Sequence, residues 1–311
     1  MAVTMVPPFI RTFKCIFMCL FVTFALACLI SFSVLQSTVE EICKCPLSEK
    51  LSPPIDSSHL LGVIVPFRDR FEELLEFAPH MVKFLAEQHV SHKIYVINQV
   101  DQYRFNRASL INIGYKIATA EGCDYIAMHD VDLLPLNPQL SYRYPTAGLF
   151  HVASPEYHPR YHYNNFAGGI LIIKKEDYKR VNGMSNKYWG WGLEDDEFFV
   201  RLKEASLDIS RPTNLSTGIE NTFRHVHDRV WRKRDMAKCF NQKEVTRRRD
   251  RQTGLQDVEY KIRSKHQLTV DGAAVTVINA ELRCNRTLTP WCLCSEEKKK
   301  ETSERRQGKA R

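Results

Sequence analysis

Three short segments carry side chains whose types and spacing could do chemistry. The first, His129-Asp130-Val131-Asp132, directly follows an apolar run from Tyr125 to Met128. Residues two apart in an extended backbone project to the same side, so Asp130 and Asp132 can bring hard oxygens toward one cation or one sugar hydroxyl. The second, Phe223-Arg224-His225-Val226-His227-Asp228, sets two imidazoles on one side by the same period. Carboxylate plus imidazole suits a divalent metal such as manganese, with positions left for phosphate oxygens. Trp231-Arg232-Lys233-Arg234 lies just beyond. Arginine offers paired planar donors that match phosphate, so a metal-bridged diphosphate would use both features. The third segment, Tyr188-Trp189-Gly190-Trp191-Gly192-Leu193-Glu194-Asp195-Asp196-Glu197, places two indoles among glycines before four consecutive acids. Indole faces stack on the C–H faces of sugars, and a carboxylate can hold and deprotonate a hydroxyl. Each segment also has a bland reading: a solvated turn, two surface histidines, and core tryptophans beside acids that favour a helix N-terminus.

The surrounding elements must position these groups. Leu60 to Val65 reads as a buried strand ended by Pro66, and Phe71 to Gln88 as a helix bent or broken near Pro79. Lys93 to Ile97 is a second strand, Arg107 to Ala120 a second helix, and Tyr125 to Met128 a third strand. That alternation implies an α/β domain with a parallel sheet covered on both faces, in the nucleotide-binding manner. Ligands of such sheets collect at the carboxyl ends of strands, where Asp130 and Asp132 fall. Further on, Gly169 to Ile173 reads as a strand and Asp195 to Ala205 as a helix. Val258 to Leu282 reads as a hairpin turning at Asp271-Gly272.

Among 311 residues, 44 % are hydrophobic and 26 % charged, which excludes collagen and a largely disordered chain. The net charge of +8 is local: residues 224–251 hold +7 and residues 295–311 hold +3, leaving the remainder at −2. Cys15 to Leu35 is 21 residues without a charge, preceded by Arg11 and Lys14. As a helix it reaches roughly 31 Å, enough to span a bilayer with the short N-terminus cytoplasmic and the rest luminal. A cleaved signal peptide is the alternative, though its apolar region is normally shorter. The expected organisation is a cytoplasmic tail over 1–14, a transmembrane anchor over 15–35, a stem over 36–59, one luminal domain over 60–294 and a charged tail over 295–311. Cys239, Cys284, Cys292 and Cys294 crowd the C-terminal part and suggest two disulfides, with three pairings open. Zinc fits the Cys292-Leu293-Cys294 spacing poorly. Asn214-Leu215-Ser216 and Asn285-Arg286-Thr287 are glycosylation sequons. In a lumen the basic stretch does not point to nucleic acid.

The segments VPFRDRF, FNRASLINIGY, HDVDLLP, YHYNNFAGGILIIKKEDYKRVNGMSNKYWGWGLEDDEFFVRL and FRHVHD resemble the β-1,4-galactosyltransferase family, in family order over about residues 60 to 235. The paired histidines are similar to the branch that accepts xylose; relatives acting on N-acetylglucosamine carry Met and His spaced three apart. Leu193 stands where some relatives have Gly or Arg. The resemblance implies a type II Golgi membrane enzyme with a Rossmann-like GT-A fold. Such an enzyme moves galactose from UDP-galactose to the 4-hydroxyl of xylose on proteoglycan core proteins, with Mn²⁺ as cofactor. By matching motif, Asp132, His225 and His227 would ligate the metal. Pro66, Phe67, Arg68, Arg70, Phe105, Asn106, Arg107, Asp130, Val131, Trp191 and Arg234 would hold the donor. Tyr161, Tyr163, Leu193, Glu194, Asp195 and Asp196 would surround the acceptor, with Asp195 as the base. The alternatives are an N-acetylglucosamine-directed relative, a membrane-tethered metal-dependent lectin and a metal-dependent phosphohydrolase.

Overall fold

Apolar runs of the sequence become the strands of one eight-stranded sheet in the computed structural model, which describes residues 21–29, 31, 56–146, 148–227 and 232–294. Strand β1 (Asp56–Phe67) lies at the centre. Its parallel neighbours are β2 (Val90–Gln99), reached through helix α1 (Phe71–Glu87), and β3 (Tyr125–His129), reached after α2 (Arg107–Ala120). Alternate residues of β1 feed two separate cores. Leu61, Val63 and Val65 pack with Leu74, Phe77 and Met81 of α1, and Ile64 packs with Leu110 and Ile113 of α2. Burial of both faces is what makes the run continuously apolar. A Cβ on Gly114 would come within 2.3 Å of Ile64, so glycine lets α2 lie close on β1 and fixes where its N-terminus emerges.

The strand–helix–strand–helix–strand expectation holds for this half. The sheet as a whole is mixed rather than parallel, with three further strands beyond β3 and two beyond β2. Strand β6 (Ile170–Lys174) runs antiparallel to β3 and to β5 (Leu149–His151), and β7 (Ile209–Ser210) closes that edge. On the other side, β10 (Ala273–Leu282) is parallel to β2, and β9 (Tyr260–Val270) pairs antiparallel with β10 through the expected turn at Asp271-Gly272. Both turn residues are left-handed, at φ 47° and 81°, as a tight two-residue hairpin requires. Helix α1 continues through Pro79 instead of breaking there. The carbonyl that Pro79 cannot bond belongs to Leu75, which is on the exposed side where water can serve it. Strand β1 begins at Asp56, four residues inside the expected stem.

A second, two-stranded sheet pairs β4 (Leu133–Pro135) with β8 (Phe223–His225), which follows helix α5 (Gly218–Thr222). Short helix α3 (Lys175–Arg180) follows β6, and α4 (Glu194–Glu204) is the predicted acidic helix. Arg201 of α4, its side chain 1 % exposed, bonds Glu197 within the helix at 2.8 Å and the carbonyls of Gly183 and Thr253 at 3.1 and 2.8 Å. One buried guanidinium thereby fixes the direction of the helix whose head carries the acids. Helix α6 (Gln242–Val245) follows Cys239, and the disulfides are Cys239–Cys294 and Cys284–Cys292, the pairing that the sequence left open.

The clustering of contacts separates residues 1–52 from 53–311. Of the first unit, a helical stretch over 21–29 and residue 31 is described, and no helix among the described residues is long and apolar enough to cross a membrane. The 1–14 tail, most of the 15–35 span, the stem up to residue 55 and the 295–311 tail lie outside the described residues.

Candidate active site

The β4–β8 ladder assembles the metal-type ligands. Leu133 pairs with His225, and the Val226 amide donates to the Asp132 carbonyl at 2.7 Å, so residues 92 and 94 apart in sequence become neighbours. The Asp132 carboxylate lies 3.5 Å from His225 Nε2 and 3.3 Å from His227 Nδ1, and the two rings stack 5.3 Å apart. One ligand atom from each of the three residues lies within 4.8 Å of the others. His227 Nδ1 is buried without a hydrogen-bond partner. Burial pushes the Asp132 carboxyl up, yet the two imidazoles outweigh it and hold it well below the usual range. An orphaned ring nitrogen facing a carboxylate and a second imidazole fits a divalent cation such as manganese.

The three residues open on a cleft of about 510 Å³ at the carboxyl ends of β1 and β3, a volume suited to a small-molecule site. Asp130 lines it with its carboxylate gripped by Arg107 at 2.7 Å, so Arg107 from the head of α2 is committed to that acid. Burial raises the Asp130 carboxyl, with Arg107 opposing.

Across the cleft stands the head of α4. Gly192 and Leu193 both take left-handed backbone, at φ 99° and 77°, and turn the chain sharply before Glu194. No side chain caps this helix; its first turn is filled with Glu194, Asp195, Asp196 and Glu197. Asp195 is pushed up to about 8 by burial and then by the neighbouring charges of Glu194 and Asp196, with Arg107 pulling the other way. A carboxyl titrating near neutrality suits a general base. The Asp195 carboxylate occupies the space that any side chain at Gly168 would fill, since a Cβ there would stand 2.4 Å from Oδ2. Glu194 Oε2 is buried with no partner, which leaves an acceptor for a ligand hydroxyl. Tyr163, Trp191 and Leu193 form a half-exposed rim, at 42, 38 and 37 %.

The basic segment closes the cleft's third side. The Arg234 guanidinium sits 4.9 Å from the Trp191 ring and 5.7 Å from the Tyr161 ring. Trp191 donates its amide to the Asp235 carbonyl, and Lys238 Nζ returns to the Trp191 carbonyl, both at 2.9 Å. Arg104 clamps this segment: Nε reaches the Asp235 carboxylate at 2.6 Å and Nη2 the Ala237 carbonyl at 2.6 Å. Its Nη1 reaches Gln242 and the Trp291 carbonyl, tying the strap to the disulfide-bonded region.

The cleft thus brings together Pro66, Arg68, Arg70, Phe105, Arg107, Asp130, Val131, Asp132, Tyr161, Tyr163, Trp191, Leu193, Glu194, Asp195, Asp196, His225, His227 and Arg234. Two expected donor residues do not line it. Phe67 is packed in the core on the α1 side, and Asn106 is fully buried, capping α2 through Ser109 and bonding the Asn186 carbonyl. Arg68 lines the cleft but spends its guanidinium on the carbonyls of Gln99, Asp101 and Tyr103. Sequence reasoning missed Arg104, Gly168 and His158. The His158 ring lines the cleft, accepts the Arg160 and Tyr161 amides at 3.0 Å each and is lowered to about 3 by burial, so it stays neutral. The Gly168-Gly169 pair before an apolar strand was the one available signal of a close approach. Asn214 and Asn285 are exposed.

The mixed α/β sheet, with a carboxylate–imidazole cluster and buried acids around one cleft, is the GT-A-like fold of the glycosyltransferase structures on which it superposes. Residues 34–145 match the family described as the N-terminal region of glycosyl transferase group 7, and residues 148–227 the one described as the N-terminal domain of galactosyltransferase. The chain is 57 % identical over 261 residues to beta-1,4-galactosyltransferase 7 of Drosophila melanogaster, covering 83 % of this chain and 81 % of that protein. It is 52 % identical over 258 residues to xylosylprotein 4-beta-galactosyltransferase of Caenorhabditis elegans, covering 81 % and 89 %. A crystal structure of a mutant of the Drosophila enzyme with manganese, UDP-Gal and xylobiose superposes with a TM-score of 0.75 at 58 % identity, over 76 % of this chain and 100 % of that one. The chain belongs to the β-1,4-galactosyltransferase family.

Proposed function

We propose that this chain is a metal-dependent xylosylprotein 4-β-galactosyltransferase, moving galactose from UDP-galactose to the 4-hydroxyl of a protein-linked xylose with inversion. The observation that carries the reading is the single cleft in which Asp132, His225 and His227 face the raised carboxyl of Asp195, with Arg234 held between Tyr161 and Trp191. The printed names of the relatives, and the manganese, UDP-Gal and xylobiose bound in the Drosophila structure, support the same choice of donor, metal and acceptor.

Asp132, His225 and His227 would hold the cation, which supplies Lewis-acid stabilisation of a departing diphosphate when bound. Asp195 takes the proton of the acceptor hydroxyl as that oxygen forms its bond to the anomeric carbon, and the bond from that carbon to UDP breaks on the opposite side. Arg234 meets the charge that grows on the leaving phosphate. Trp191 and the strap exclude water, which limits hydrolysis of the donor. The rim of Tyr161, Tyr163, Trp191 and Leu193 closes over xylose, which lacks both a hydroxymethyl group and an acetamido group. A clash rejects larger sugars without the ceiling of a missing methylene. The apolar run over 15–35, the disulfides and the exposed sequons support a membrane-anchored, Golgi-luminal enzyme acting on proteoglycan core proteins.

The test compares transfer from UDP-galactose, with manganese, to an aryl β-xyloside and an aryl N-acetylglucosaminide. Preference for the xyloside is expected. Equal or reversed efficiencies overturn the acceptor, and nucleotide turnover indifferent to any acceptor overturns the transferase.

A further inference from the structure

The basic excess of residues 224–251 is only partly used by the cleft. Arg232 is bound to Glu72 and Glu73, and Arg249 to Glu197 and Glu204. Arg251 is paired with Glu204. Lys243, Arg247 and Arg248 remain exposed, with no acidic partner among the described residues, and Glu244 is the one exposed acid among them.

Their position follows from what lies beneath them. Lys238 bonds the Trp191 carbonyl at 2.9 Å, Gln242 the Trp189 carbonyl at 2.9 Å, and Tyr188 the Thr246 carbonyl at 3.0 Å. Arg249 then reaches Glu197 at 2.7 Å. Segment 238–249 is therefore laid along the very loop, Tyr188 to Glu197, that presents the acceptor rim and Asp195. Gln242, Thr246 and Asp250 point inward and are buried, which turns Lys243, Arg247 and Arg248 outward. At the cleft end this row continues into Lys233 and Lys238.

We infer that this ridge is a docking surface for an acidic, extended stretch of the acceptor polypeptide flanking the sugar-bearing residue, an inference that rests on the protein-linked acceptor proposed above. A single pyranose is shorter than an extended lysine side chain. With its 4-hydroxyl at Asp195, the polypeptide at its other end has to pass over the cleft rim, where Lys233 and Lys238 lie and from which the segment bearing Lys243, Arg247 and Arg248 leads away. Exposed charges act over a Debye length of about 10 Å at 0.1 M salt, so they select and steer the acceptor without entering the reaction.

The experiment uses the catalytic domain with three acceptors: an aryl β-xyloside, a xylosylated peptide with acidic flanks, and the same peptide with neutral flanks. At low ionic strength the acidic peptide should show a KM about tenfold below the neutral one, falling to within about twofold by 0.5 M salt. The triple variant Lys243→Glu, Arg247→Glu, Arg248→Glu should abolish that preference and leave aryl xyloside kinetics within about twofold of wild type. Equal KM values for the two peptides, or a preference that survives in the variant, would overturn the ridge. Binding of a sulfated oligosaccharide that tracks the variant while the peptide preference does not would assign it to a glycan instead. Failure of the aryl xyloside itself would overturn the proposed acceptor, a result separable from all of these.

Discussion

The two walls of the cleft are built differently. The metal wall is sheet: Asp132 and His225 are set by a backbone ladder, and the Val226–Asp132 bond draws His227 alongside. The acceptor wall is loop and helix head, shaped by left-handed residues at 192 and 193 and held against the strap by side chains such as Arg104 and Lys238. Backbone ladders position ligands before anything binds. The latch of Arg104 on Asp235, whose carboxylate is 42 % exposed, holds a strap against solvent competition and so is the easier half to open.

The largest effect should come from the acceptor wall. Asp195→Asn keeps the size but not the basicity of the group, so turnover should fall about 10² to 10⁴-fold while binding of UDP and metal persists. A variant retaining a tenth of the turnover would move the role to Glu194 or Asp196. The same residue gives a pH signature. With Asp195 at about 8 in the fold, kcat/KM in the free wild-type enzyme should climb as pH rises toward 8 and then level. Stability runs the other way. An unfolded Asp releases its proton near about 3.9, so between there and about 8 only the folded state keeps it, and stability falls with rising pH across that window. Asp195→Asn should lose that dependence, and parallel melting curves for both proteins from pH 5 to 8 would contradict it.

The metal wall should respond in a different coordinate. His227→Ala removes one of the three proposed metal ligands, so the manganese concentration for half-maximal rate should rise at least about tenfold, with the protein still folded. An unchanged titration would remove the cluster from the reading. The smallest effect belongs to the latch. Asp235→Asn weakens the grip of Arg104 on the strap but leaves the Ala237, Gln242 and Trp291 contacts, so donor KM should rise only about three- to tenfold. Faster tryptic cleavage at Lys233 and Arg234, with an unchanged melting temperature, would mark the strap as loosened; identical cleavage would show that Arg104 is not its latch.

What was legible in the sequence follows the same division. Period-two spacing places side chains by backbone geometry alone, so Asp130, Asp132, His225 and His227 were readable as pairs. That the pairs meet depends on a ladder joining residues about 90 apart, which periodicity does not encode. Resemblance carried Asp195 and Arg234, yet it also carried Phe67 and Asn106, whose burial removes their side chains from the cleft. Arg104 acts through bonds to groups of distant segments, and His158 through a local turn in which it accepts the Arg160 and Tyr161 amides; the neighbours of neither in sequence show a pattern that would single it out. Strand β6 and the β9–β10 hairpin were readable, whereas β5 and β7 escaped because they are three and two residues long, too short for a period to show.

Leu193 gives the acceptor wall an unusual character. A leucine in left-handed backbone costs about 1 kcal/mol or more relative to glycine, and it immediately precedes the helix that carries the proposed base. Glycine there would relax the turn and strip the rim of its side chain. The chain accepts a less comfortable fold in exchange for a narrower mouth, so pressure for thermal robustness and pressure for sugar discrimination pull this one position in opposite directions.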